Sequence, residues 1–167
     1  MEGLNQTLIL THLVPAVLLL AAVFDDLKTK KVHNILLLAF LPIVLALRFY
    51  FTGMDGLVQG LIASFAAFIL CLPLVTTKAL GAGDMKLLMV FSFTTQVDLI
   101  FWMILYSFFW GAILGVIRVI MDKEAILLLK NIGKLVTKKS DEIKKFHSIP
   151  FTVAIFLGWL TLLTLNN

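Results

Sequence analysis

Long apolar runs recur along this chain of 167 residues, and they restrict its fold more than any other feature. Runs of about 18 or more residues with few charges are typical of helices that span a bilayer. With 60% hydrophobic and only 14% charged residues, the chain has more apolar surface than a soluble domain of its size needs. We therefore predict an all-α, polytopic membrane protein with six transmembrane helices, at Leu8–Phe24, Ile35–Thr52, Leu57–Thr76, about Asp84–Val97, Leu99–Met121 and Ile149–Leu165.

The distribution of basic residues predicts the orientation of these segments. All 14 Lys and Arg residues except Arg48 lie in or beside alternate connections, and the positive-inside rule assigns such connections to the cytoplasm. We predict both termini outside and three cytoplasmic basic loops. Arg48, near the outer end of the second segment, is expected to snorkel to the interface. Because the lysines lie where a membrane protein keeps them, the net charge of +4 does not indicate nucleic-acid binding.

The fourth segment and the stretch 122–148 are less regular than the rest. The apolar core of the fourth segment, Leu87–Phe93, is too short to cross a bilayer alone at about 1.5 Å per residue. If it did not cross, the lysine-rich stretch 122–148 would lie outside, so the charge rule favours a crossing. Apolar residues at helical spacing in 122–148 predict an amphipathic helix on the membrane surface, although a solvated basic loop is an alternative. We expect residues 1–167 to form one domain embedded in the lipid bilayer.

Three aspartates lie at segment ends on the predicted cytoplasmic side. Asp25 and Asp26 follow the first segment, and Asp84 opens the fourth. An ionisable group at a membrane segment is a candidate functional residue. Two carboxylates that lie close together in the fold cannot both ionise easily, so they share a proton. One is then a general base and the other a general acid, as peptide hydrolysis requires. The same residues could instead cap helix ends, and spacing alone leaves both interpretations open.

Three motifs, in order along the chain, resemble those of the type IV prepilin peptidases, which are membrane aspartyl proteases of the GxGD kind. Residues 26–34 read DLKTKKVHN, which is similar to the family's DLRTRRIPN. Residues 81–86 read GAGDMK, which is similar to GxGDxK, and residues 149–151 read IPF, which is similar to a closing Ile-Pro-aromatic motif. The resemblance covers essentially the whole chain.

The resemblance implies that Asp26 and Asp84 are the catalytic pair, and the motif rather than geometry selects Asp26 over Asp25. Gly81 and Gly83 are then expected to shape the backbone around Asp84. Lys86 would steady a carboxylate or the substrate, or else lie among the lipid headgroups.

The implied activity is that of an aspartic endopeptidase, multi-pass in the cytoplasmic membrane. It would remove leader peptides from prepilin-like substrates, such as Flp-type pilins or preflagellins, at the cytoplasmic face. Methyltransferase activity is not expected, because the single cysteine excludes the paired CxxC motifs of the larger bifunctional members. His33 replaces the family's proline, which is expected to loosen the backbone there. No cofactor and no metal are expected, since no pair of histidines has ligand spacing.

Two other functions would use the same aspartates. A presenilin-type intramembrane protease shares the GxGD motif, but its partner aspartate belongs in a Tyr-Asp context and its fold has more crossings. Here Phe24-Asp25 is the nearest match. A non-enzymatic ion or proton carrier would need acidic residues deeper in the segments, and a proton-flux assay in vesicles would reveal it.

Overall fold

The structure, a computed structural model, describes residues 9–121 and 150–166. Within these ranges the chain forms five α-helices and no β-strand, which confirms the predicted all-α class. A π-helical turn, Ile9–Leu13, leads into the first helix. The predicted amphipathic helix at 122–148 lies outside the described residues. The helices are α1 (Val14–Thr29), α2 (Asn34–Thr76), α3 (Ala82–Ser92), α4 (Val97–Met121) and α5 (Phe151–Asn166).

Helix α2, with 43 residues, is interrupted at Gly53, whose φ of 66° and ψ of −159° are not helical. Asn34, at the start of α2, is hydrogen-bonded to Lys86 in α3, whereas Gly60 lies against Phe93, just after α3 ends. A straight helix would carry Gly60 about 39 Å from Asn34, far beyond the end of α3. Helix α2 therefore folds back at Gly53, so that both of its ends lie near the start of α3.

Three stretches are long and apolar enough to cross a membrane, namely Ile9–Thr29, Asn34–Thr76 and Val97–Arg118. The structure has five helices where the sequence predicts six, because the predicted second and third segments both lie in α2, on either side of Gly53. The predicted fourth segment corresponds to α3, which has 11 residues and ends at Ser92 rather than near Val97.

Helix α3 lies in the middle of the fold. Its residues Leu87, Leu88 and Phe91 are at most 1% exposed, and they belong to one apolar cluster with buried leucines of α1. By contrast, α2 and α4 carry large exposed apolar side chains, among them Phe65 and Phe109. Apolar faces of this extent are stable against lipid and not against water. The fold is thus that of a membrane protein with a short, enclosed central helix.

Helices α4 and α5 pack closely because glycines lie in their interface. A Cβ on Gly158 would be 2.8 Å from the backbone nitrogen of Ser107, and one on Gly111 would be 2.9 Å from the ring of Phe151. Small residues allow such close approach between helices in a membrane. Helix α5 also contacts α1, so its first turn lies beside the end of α1.

Candidate active site

Helix α1 ends one turn after Asp26. Lys30 has the left-handed conformation (φ 58°, ψ 27°) that commonly ends a helix, and its N–H donates to the carbonyl oxygen of Asp26 at 2.7 Å. The side chain of Asp26 is only 7% exposed. A carboxylate buried to this extent needs hydrogen-bonding partners.

One partner of Asp26 is Thr152, in the first turn of α5. Its Oγ1 donates to Oδ2 of Asp26 at 2.7 Å, and the Thr152 side chain is fully buried. Oδ1 of Asp26 takes no part in this bond. Thr152 is not among the site residues predicted from the sequence. The one feature of the sequence that points to Thr152 is its position directly after the Ile-Pro-Phe motif.

Asp25 has a different partner from its neighbour Asp26. Its carboxylate accepts the backbone N–H of His33 at 2.8 Å, and it lies 2.9 Å from Nδ1 of the same residue. The φ of −74° at His33 lies within the range of proline. Asp25 thus binds His33 through an N–H that proline lacks, and the loosening of the backbone at His33 stays a prediction.

The second carboxylate of the predicted pair, Asp84, lies in the first turn of α3. Gly81 is the N-cap residue, and its backbone hydrogen-bonds to the carboxylate of Asp84. This is the bond that an acidic residue in the first turn makes back to the N-cap. Asp84 thus contributes to capping, although the N-cap itself is Gly81. A Cβ on Gly81 would be 2.8 Å from Oδ2 of Asp84, so a larger residue there would displace the carboxylate from its present position.

Asp26 and Asp84 line the same cavity, of about 510 Å³, where α1 ends and α3 begins. The two carboxylates are close enough to interact electrostatically. Lys30, Lys31 and Lys78 also line this cavity, so cationic side chains surround the acidic pair. These lysines support the predicted orientation of the chain and are not among the predicted site residues. Asp25 is not among the residues that line the cavity.

The two remaining predicted site residues, Gly83 and Lys86, connect α3 to the beginning of α2. A Cβ on Gly83 would be 3.4 Å from Cβ of Val32, which is an ordinary contact distance. The Nζ of Lys86 donates to Oδ1 of Asn34 at 3.0 Å. In the structure Lys86 therefore binds Asn34 rather than either carboxylate.

The arrangement is suited to acid–base chemistry on a bond held between two carboxylates. Within residues 9–121 and 150–166, no group of three or more His, Cys, Asp or Glu side chains is placed to hold a metal ion. The fold and the cavity together define a helical membrane protein with a two-aspartate site at one end of its helices.

Comparison with known proteins gives a more particular assignment. The sequence profile of the type IV leader peptidase family matches residues 13–116, more than half of the chain, and this range contains both Asp26 and Asp84. The chain therefore belongs to the type IV leader peptidase family, which confirms the resemblance carried by the motifs. Thr152 and the rest of α5 lie outside the matched range. No curated protein and no solved structure matches the chain.

Proposed function

We propose that this chain is an aspartic endopeptidase that removes the leader peptide from type IV prepilin-like membrane proteins. One observation carries the proposal: Asp26 and Asp84, from the end of α1 and the start of α3, line one cavity and interact electrostatically. Membership of a leader peptidase family supports the same reaction.

In the proposed mechanism Asp26 and Asp84 are the catalytic residues and share one proton. Asp26 takes a proton on Oδ1 from a water molecule, whose oxygen attacks the carbonyl carbon of the scissile peptide bond. Asp84 gives its proton to the amide nitrogen as the C–N bond breaks, which leaves a carboxylic acid and an amine. Proton transfer from Asp26 back to Asp84 restores the pair. Thr152 acts as a positioning residue, because its hydrogen bond fixes the orientation of the Asp26 carboxylate.

The resemblance also suggests the form of the substrate, which is a short basic leader followed by an apolar helix, with cleavage after a glycine. Lys30, Lys31 and Lys78 carry the same charge as such a leader. We therefore assign substrate docking to apolar packing of its helix against the helices of the enzyme, and not to charge attraction. No methyltransferase step and no cofactor belong to this proposal.

We further propose six crossings of the cytoplasmic membrane, with the two halves of α2 crossing separately and with α3 and α5 also crossing. The reversal of α2 at Gly53 supports this topology. The lysines around the aspartate cavity support a cytoplasmic position for the end of the helices that carries this cavity, since cytoplasmic connections are rich in Lys and Arg. Both termini then lie outside, and residues 1–167 act as one domain.

Leader removal from a co-expressed prepilin, followed as a shift on a gel, tests this function. Asp26→Asn and Asp84→Asn should each slow cleavage by at least about 100-fold, because each removes one acid–base group. Asp25→Asn is the matched control, and it should remain active because its side-chain oxygen still accepts the N–H of His33. Normal cleavage by membranes that contain Asp84→Asn would refute the proposal.

A further inference from the structure

A second cavity, of about 270 Å³, lies at the opposite end of α3 from the aspartates. It is lined by Thr94 and Thr95, which follow the last turn of α3, about 15 Å along the helix axis from Asp84. Pockets for drug-sized ligands have volumes of about 300–1,000 Å³, so this cavity has room for one small group rather than for a peptide. The peptidase mechanism uses none of its residues.

Among the described residues that line this cavity, Arg48 is the only charged one. Its side chain is 5% exposed, so the predicted snorkelling to the interface is wrong. Its Nε donates to the carbonyl oxygen of Gly56 at 3.0 Å, and residues 9–121 and 150–166 give the N–H groups on its two Nη atoms no partner. The one ion pair within these ranges joins His33 to Asp25, so no carboxylate there neutralises Arg48. A buried cation without a counter-charge is costly.

Thr95 supplies a second buried donor on the wall of the same cavity. It is 7% exposed, and its hydroxyl makes no hydrogen bond within the part of the chain that the structure describes. The neighbouring Thr94 differs, because its Oγ1 donates to the carbonyl oxygen of Phe91 at 2.7 Å. Counting only the described residues, the cavity therefore combines a buried cation that has no counter-charge with a buried hydroxyl that makes no hydrogen bond. The other polar residues that line it are Thr11, Thr52, Gln59 and Gln96.

We propose that this cavity is a phosphate-binding site, in which the guanidinium of Arg48 and the hydroxyl of Thr95 hold one anionic phosphate group. The planar guanidinium matches phosphate with two parallel N–H···O bonds, and the bound anion supplies the missing counter-charge. The phosphate can belong to the headgroup of an anionic phospholipid or to free inorganic phosphate. The proposal does not depend on the peptidase activity, since the two cavities share no lining residue.

Thermal unfolding of the full chain, purified in a neutral maltoside detergent, tests this site. Inorganic phosphate and a short-chain phosphatidylglycerol are titrated separately at constant ionic strength, and a diacylglycerol of the same chain length controls for the acyl chains. A ligand that binds only the folded state raises the Tm in a concentration-dependent way. Arg48→Gln and the nearly isosteric Thr95→Val should each weaken the apparent affinity by about 10- to 100-fold, as expected for the loss of a hydrogen bond to a charged group.

Each outcome of this titration supports or overturns the site. A response to the phospholipid alone identifies a headgroup site, and a response to inorganic phosphate identifies a site for the free anion. Lys28→Gln, which removes an exposed positive charge at the other end of the helices, should keep the wild-type response. If Arg48→Gln fails to fold, Thr95→Val carries the comparison. The proposal is overturned if the wild type responds to neither ligand, if both cavity variants respond as the wild type does, or if the diacylglycerol matches the phospholipid.

Discussion

Replacing Gly81 by alanine tests how tightly the carboxylate of Asp84 is positioned. The added Cβ would lie 2.8 Å from Oδ2 of Asp84, where ordinary contact begins at 3.4 Å, so the carboxylate has to move by about 0.6 Å. The backbone of Gly81, with φ −71° and ψ 142°, lies in a region open to alanine. The substitution therefore displaces a proposed catalytic group without straining the main chain.

The expected effect of Gly81→Ala is on the rate of cleavage and not on folding. Catalytic groups have to be held within about 0.5 Å of their productive positions, and a misplacement of about 1 Å can cost about 100-fold in rate. We expect leader removal to slow by about 10- to 100-fold, measured as the initial rate with a prepilin substrate in membranes. The free energy of unfolding should change by less than about 1 kcal/mol, as for most substitutions that leave the core intact.

Gly83→Ala is the matched control on the same helix. Its Cβ would meet Val32 at 3.4 Å, and alanine favours a helix over glycine by about 1 kcal/mol. Cleavage by Gly83→Ala should stay within about threefold of the wild type. The reasoning fails if Gly81→Ala cleaves at the wild-type rate, or if Gly83→Ala is the slower of the two variants.

Three further substitutions follow from contacts of the described residues. Thr152→Val should slow cleavage by about 10-fold through loss of the bond to Asp26, and Thr152→Ser should restore it; equal rates for the two variants would argue against positioning by the hydroxyl. Gly158→Ala should lower the free energy of unfolding by about 1–3 kcal/mol in a thermal melt, because its Cβ would press on the backbone of α4, whereas Gly115→Ala, with nothing within 4 Å, should not. Lys86→Met removes the exposed hydrogen bond to Asn34 and should lower the free energy of unfolding by about 1 kcal/mol. A drop in the cleavage rate of more than about tenfold would show that Lys86 takes part in the chemistry.

The helices and the two aspartates could be predicted because their signals are local. Hydropathy alone marks a membrane segment, and the motifs around Asp26 and Asp84 are contiguous in the sequence. The contact between Thr152 and Asp26 joins residues 126 positions apart, and it depends on the packing of α5 against α1 and α4. No periodicity in the sequence reports such a contact.

At Gly53 and at Arg48, too, the structure differs from what the sequence predicts because tertiary packing is not encoded locally. The Gly53–Gly56 stretch predicts a turn, and the chain reverses at Gly53, whose backbone is not helical, so the two expected helices lie on either side of it within α2. Arg48 was expected at the interface because a lone arginine near a helix end usually extends there. Arg48 is buried beside a cavity that it lines together with residues before α1 and after α3, and the spacing of residues within α2 does not encode that tertiary packing.

The shortness of α3 bears on which bond of a substrate is cut. With 11 residues, α3 is about 16 Å long, roughly half of the 30 Å hydrocarbon thickness, and Asp84 lies in its first turn. Under the proposed crossing, a helix of this length cannot reach both surfaces of the bilayer, and we expect the acidic pair at one end of it to lie below the lipid surface. The acidic pair can then reach the peptide bond that joins the polar leader of a substrate to the substrate's membrane-embedded helix. The enzyme would then select its bond by depth in the membrane, which requires little recognition of the residues on either side.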